Sequence, residues 1–401
     1  MKKSILTGVF LLSLFSVWGE KSLTNGELSI NLKEKPLSYG WADIGKLSYS
    51  TSAPFVIDDK NYPDPKDKKK ALVKALSSGN KLILLSGDVD LNDALISDND
   101  HSYYDEFSNG THQRLHGDNM FSISSNITLI GLDKARIMFG GFTIDSASNI
   151  IIRNVEFWDA HGSTELDTAF SKNSKASIDA IAIKGSAQNI WIDHCTFSDG
   201  LCDDMIRNYN HDGLLDIVSG KKVTVSYCEF KNHDKVMLVG SSEKALNPSE
   251  REVTLHHNYF HKTTQRTPRT RGTYMHIYNN VYDEIGVKGN PGYCLGPGTN
   301  AQFIVENNYF GSCLGVIVSW GFVGKNKSKI TKYYESGNNI QAYLNQAASI
   351  EDMHESVRRF IVDKPSWEIK YEYKSNLQSW EEAKSTVLSE AGAGKIVKIE
   401  N

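Results

Sequence analysis

The chain has 401 residues, with 44 Lys and Arg against 48 Asp and Glu and a formal net charge of −4. A charge so near balance supplies no bulk positive field, which counts against a nucleic-acid binder. The length would accommodate two ordinary domains, and five cysteines are an odd number for a disulfide framework.

Residues 1–19 read as a secretory signal peptide. Lys2 and Lys3 lead, Ile5 to Trp18 is a short apolar run, and Val17-Trp18-Gly19 fits a small-residue cleavage site. The run is short for a membrane span, and no later stretch approaches about 18 uninterrupted apolar residues. An exported, soluble protein with no membrane partner is expected, with residues 20–401 as its one domain. Glu20 to about Ser124 is the least regular part. Within it, Lys66–Leu76 (KDKKKALVKAL) has helical spacing, and Lys81–Ser86 and Ile127–Ile130 read as the first strands.

From Asn149 onward one line recurs six times. Asn149–Phe157, Asn189–Phe197, Lys222–Phe230, Glu252–Phe260, Tyr274–Tyr282 and Gln302–Phe310 align without a gap, at offsets of 40, 33, 30, 22 and 28 residues. Each is an alternating strand, a polar turn and an aromatic. A strand unit at a variable period in this range marks a β-solenoid. Equivalent positions then become lateral neighbours about 4.8 Å apart. Such a fold grows along one axis, and its open end needs a cap, the role expected of the Lys66–Leu76 helix. Beyond Lys325 the pattern is expected to dissolve into charged and helical stretches packed on the outside. Ala391–Gly394 (AGAG) marks a turn near the end.

One column of the repeat reads Val155, Cys195, Cys228, Asn258, Asn280, Asn308. Stacked asparagines in a turn make an amide ladder, a structural feature. The six ring positions, Phe157, Phe197, Phe230, Phe260, Tyr282 and Phe310, form a core stack. Cys195 and Cys228 are close enough for a disulfide, but parallel Cβ vectors suit one poorly. The simpler reading is two buried thiols. Cys202, Cys294 and Cys313 have no evident partner.

The acids are the first chemical signal. Asp179 lies 16 residues before Cys195, and Asp212 lies 16 residues before Cys228, so the repeat places them on adjacent coils at one lateral position. Asp216 would be about 13 Å from Asp212 on a straight strand, but Gly213 suggests a bend that returns it. Three converging carboxylates with no His or Cys fit a hard cation, calcium above others. Solvated acids at a loop mouth are the plainer alternative. Next come Lys235 and then Gln265–Arg271 (QRTPRTR), where Arg266 and Arg271 can point to one side and Arg269 to the other. A surface ion-pair cluster would have this composition. Beside the acids, the set instead suits a polymer of carboxylates.

These residues resemble a known family. Trp191-Ile192-Asp193-His194, Asp212–Asp216 (DGLLD), His233–Gly240 (HDKVMLVG), His256-His257-Asn258, Gln265–Arg271 and His276–Asn280 (HIYNN) resemble the pectate lyases of polysaccharide lyase family 1. The likeness is dense from about Ser124 to Gly315. It implies an all-β chain folded as a single-stranded right-handed parallel β-helix, with an N-terminal helical cap and a C-terminal tail on the outside. It further implies that Asp179, Asp212 and Asp216 bind catalytic Ca2+. Lys235 and Arg271 would bind substrate, and Arg266 would be the base. The partner would be polygalacturonate (pectate), attacked by a monomer. Two departures stand out: Arg271 is followed by Gly272-Thr273 where the family reads Phe-Gly, and Ser177 stands where some members carry a further acid.

The implied chemistry is β-elimination, in which cation and Lys235 neutralise a uronate carboxylate and acidify its neighbouring C5 hydrogen. A guanidinium is an awkward base; crowding by other cations would favour its neutral form and an alkaline optimum, and hydroxide is the alternative base. Two rival functions remain at this stage. One is a non-catalytic β-helical adhesin or binder of acidic polysaccharide. The other is a glycoside hydrolase, in which Asp179 and Asp212 would be the working pair and the Lys/Arg set would be idle.

Overall fold

A computed structural model describes residues 28–92, 119–160, 178–200, 211–242, 247–286, 292–313, 316–317, 332–339 and 365–400. Parallel strands line three sheets of ten, eight and seven strands, joined coil after coil into a right-handed parallel β-helix. The ten-stranded sheet carries the repeats. Its ladder pairs Ile150 with Ile190, Val223, Val253, Met275 and Phe303 in turn, so the ungapped alignment and the physical register coincide. The residue that bends each coil into the eight-stranded sheet has left-handed backbone: Asn154, His194, Tyr227, His257, Asn279 and Asn307 have φ between 48 and 60°. That conformation is enriched in Asn and His, which explains the polar turn in each repeat.

The turn is held by the expected ladder. Asn258 Nδ2 donates to Asn280 Oδ1 at 2.9 Å, and Asn280 Nδ2 donates to Asn308 Oδ1 at 3.0 Å. Each Oδ1 also accepts the backbone N–H of the preceding coil, ending with Cys228 N–H on Asn258. Cys195 and Cys228 are free, buried thiols. Cys294 and Cys313 are also free and buried, and Cys313 Sγ donates to the Tyr282 carbonyl at 3.5 Å. Cys202 lies outside the described residues. Beside the ladder the six rings stack, from Phe157 through Phe197, Phe230, Phe260 and Tyr282 to Phe310, with centroids 4.9–5.0 Å apart.

The expected helix spans Pro65–Ser78 and buries Leu72, Ala75 and Leu76 over the first coils; Asp64 caps it by accepting from Lys66 N–H. One expectation fails at the other end. The repeat does not dissolve at Lys325: strand Lys332–Ser336 adds another rung beside Gln302–Glu306, and Asn338 extends the amide ladder at 3.0 Å from Asn308. The aromatic that ends every earlier unit is absent there, which hid the coil. The tail then packs outside as expected. Trp367, Tyr371 and Tyr373 lie with Trp41 and Tyr278, and strand Ile396–Glu400 pairs with Leu28–Asn31. These terminal segments cover the outer face of the ten-stranded sheet, where Trp191 and Ile151 are buried.

Asn280→Ala should strand amide groups on both Asn258 and Asn308, each costing about 1–3 kcal/mol. Chemical unfolding should show that loss, while activity per folded molecule stays unchanged. Intact stability with lost turnover would mean the column is not structural.

Candidate functional site

The acids gather on the seven-stranded sheet. Asp179 precedes strand Ile181–Lys184, and Asp216 lies in strand Leu215–Ile217 on the next coil. These strands pair at an offset of 34 residues, Ile181 with Leu215; the ten-stranded sheet runs at 33 over the same two coils, Ile190 with Val223. The slip arises because the turn between the sheets is one residue shorter in the second coil. Asp179 therefore does not share a rung with Asp212, as the repeat suggested. Its neighbour is Gly213, whose N–H donates to Asp179 Oδ1 at 2.8 Å.

Gly213 is the floor of the cluster. A Cβ there would stand 2.6 Å from Asp216 Oδ1 and 2.7 Å from Asp179 Oδ1, so only glycine leaves both carboxylates in place. Asp216 does turn back toward Asp179, and its Oδ1 accepts from Leu238 N–H at 2.8 Å. Burial, then Asp216 and Asp212, push the Asp179 carboxyl well above its usual range. Burial and Asp212 push Asp216 up to about 7, against the Leu238 N–H and Arg266, which oppose the rise.

The cations come from the following two coils. Lys235 Nζ donates to Asp212 Oδ1 at 2.8 Å. Arg266 sits one coil further, with left-handed backbone at φ 62°, strain that a non-glycine residue accepts only where its surroundings hold it. Its carbonyl accepts from Met237 N–H at 2.7 Å. Its Nε is buried with no hydrogen-bond partner among the described residues. Arg271 donates to the Gly240 carbonyl at 3.1 Å. Arg269, which the sequence reading turned away, pairs with Leu238, the residue whose N–H holds Asp216; the strand ladder was the missing signal. Ser177 lies outside the described residues.

The donor set fits a hard divalent cation: carboxylate oxygens only, two of them across a gap that a glycine keeps open, both raised toward neutrality by burial and by neighbouring carboxylates. Among the described residues no three His, Cys, Asp or Glu side chains are drawn into a finished coordination shell, and Asp212 is turned to Lys235.

The sequence pattern of the pectate lyase family matches residues 63–396. The chain belongs to the pectate lyase family. The pectate lyase of Bacillus subtilis strain 168 is 32% identical over 295 residues, 69% of this chain and 66% of that protein. The pectate trisaccharide-lyase of Thermotoga maritima is 39% identical over 176 residues, 42% of this chain and 43% of that one. The chain thus covers less than two thirds of either relative. Among solved structures, a thermostable pectate lyase, PL 47, superposes with a TM-score of 0.63 at 26% identity, covering 90% of this chain and all of that one. A pectate lyase bound to a hexasaccharide gives 0.65 at 25%, covering 89% and 97%. Among the described residues no helix is long and apolar enough to cross a membrane.

An acid raised from 3.8 to about 7 keeps a proton in the folded chain that the unfolded chain has released. Stability without metal should therefore fall as pH rises across that window. Asp216→Asn should flatten the fall, and urea midpoints measured in chelator check it. An equal slope in both proteins would sink the assignment of a proton to Asp216. A divalent cation competes with that proton, so its affinity should climb over the same range.

Proposed function

We propose that this chain is a secreted, calcium-dependent pectate lyase, acting as a monomer on de-esterified polygalacturonate by β-elimination. The observation that carries the reading is the approach of Asp179 and Asp216 across Gly213, with Asp212 beside them paired to Lys235, and Arg266 contributed by the next coil. Relatives named as pectate lyases, and the likeness to one bound to a hexasaccharide, support the substrate class. The leader at residues 1–19 supports export.

Asp179, Asp212 and Asp216 would hold the calcium, which supplies positive charge against a uronate carboxylate and the enolate-like charge that develops beside it. Lys235 exchanges its pairing with Asp212 for the same carboxylate. Arg271 anchors a neighbouring uronate. Arg266, as the neutral guanidine, accepts the C5 proton and becomes the guanidinium; its Nε makes no hydrogen bond among the described residues. The C5–H electrons form the C4–C5 double bond, the C4–O bond breaks, and the leaving oxygen takes up a proton. No water is added, so no hydrolytic carboxylate pair is required.

Incubation with polygalacturonate should raise ultraviolet absorbance from the new double bond. Chelator should abolish the rise without changing the circular dichroism, and calcium should restore it. Undiminished activity in chelator would remove the metal. Reducing ends without absorbance would mean hydrolysis, and retention of polymer without products would mean a binder.

Arg266→Lys keeps the charge but changes its reach. Turnover should drop roughly a hundredfold with polymer binding kept, since the group acts in the transition state. Normal turnover with weaker binding would assign Arg266 to binding alone.

A further inference from the structure

Beneath the groove lies a second set of charges, which the reaction above does not use. Asp159 and Asp199 follow strands Glu156–Trp158 and Thr196–Ser198 of the eight-stranded sheet. These pair with Trp158 beside Ser198, so the two acids occupy one column on successive coils. Both are 0% exposed. Stacked, buried carboxylates are costly unless paired, and two buried histidines meet them. His211 Nε2 lies 2.8 Å from Asp159 Oδ1, with its Nδ1 3.8 Å from Asp199 Oδ2. His233 Nδ1 lies 2.6 Å from Asp199 Oδ1. The two rings meet edge to face.

The far side of His233 reaches the groove's backbone. Its Nε2 lies 3.0 Å from the carbonyl oxygen of Asp212 and 3.1 Å from that of Lys235. Carbonyls only accept, so Nε2 carries a proton and donates to both. One ring therefore ties together the main chains of the acid and the lysine that form the ion pair above it. His211 precedes Asp212 directly in the chain. Asp212 is thus fixed from two directions, by Asp159 through His211 and by Asp199 through His233. Apolar side chains could fill this interior at lower electrostatic cost; the column of stacked phenylalanines beside it does so.

We propose that Asp159, His211, Asp199 and His233 form a buried positioning network that fixes Lys235 relative to Asp212, and so sets the spacing between the substrate-binding ammonium and the cation-binding carboxylate. The role rests on the function proposed above. None of the four touches substrate; they act through the backbone they hold.

The test compares His233→Ala, His233→Gln and Asp199→Asn with the wild type. It measures kcat and KM on polygalacturonate, the calcium concentration for half-maximal rate, and terbium luminescence as a readout of cation binding apart from activity. Partners behind a ligand typically contribute 10–100-fold, so His233→Ala should lower kcat and raise the calcium requirement by roughly tenfold or more, with weaker terbium binding and a smaller change in KM. His233→Gln retains a donor for the two carbonyls and should recover much of both; Asp199→Asn, which leaves the ring but loosens its hold, should fall between. If His233→Ala does not fold, the two milder variants carry the comparison. Variants that lose stability while keeping wild-type kcat, calcium requirement and terbium binding per folded molecule would overturn the network's role and leave the lyase reading intact. A wild type that yields no unsaturated product would overturn that reading, and the positioning role with it.

Discussion

The lateral hydrogen-bond ladder between coils governs everything else in this molecule. Each strand of the ten-stranded sheet must satisfy its backbone against the coils above and below, about 4.8 Å away. A residue that suits one rung therefore recurs on the next. The asparagines show why the recurrence is chemical. An amide both donates and accepts, so Asn258, Asn280, Asn308 and Asn338 pass one hydrogen bond along the axis while each also caps a backbone N–H. No apolar residue could meet the turn's N–H groups, and a carboxylate column would repel itself. The ring column beside it works by contact instead, with Phe197, Phe230 and Phe260 nearly parallel at 4.9 Å.

That constraint also decides where chemistry can sit. The outer face of the ten-stranded sheet is closed by the terminal segments, and the interior is filled by side chains. The passage from the eight-stranded to the seven-stranded sheet carries the uncommon residues. Across four coils it presents Asp179, then Asp212 and Asp216, then Lys235 at the end of strand Glu229–Lys235 followed by Leu238, and finally Arg266 followed by Arg269. A polymer of uronates lying along such a face would meet a repeat of charge that runs across the strands, as the polymer's own carboxylates do.

The parts of the fold that obey the ladder were legible from the residues. The repeats, the amide column, the ring column, the capping helix and the outer tail all follow from periodicity and hydrogen-bonding capacity. The parts that break the ladder were not. The slip that sets Gly213 beside Asp179 arises from one residue missing in a turn, and no composition rule registers it. The coil at Lys332–Ser336 was lost because its unit lacks the closing aromatic. Arg269 was turned the wrong way because strand pairing, not the local Thr-Pro kink, sets its column. Gly213 attracted notice as a bend, whereas its larger contribution is the side chain it lacks. For the candidate site, residue types and order were readable, while the mutual distances that make them a site required the register.

The site is also where the fold gives up stability. Asp216 and Asp179 are buried carboxylates raised toward neutrality by burial and by neighbouring acids, and Arg266 holds a left-handed backbone. A small domain with one core would feel such costs throughout. In a solenoid each coil contacts mainly its neighbours, so a strained rung is held by the coils on either side and by columns that do not pass through the groove. The phenylalanine stack and the amide ladder run on other faces of the same coils. This separation allows a cluster of buried carboxylates that is unfavourable on its own to persist in place. Under the proposed function, the same unfavourable arrangement would give a cation, and then an anionic polymer, something to stabilise on binding.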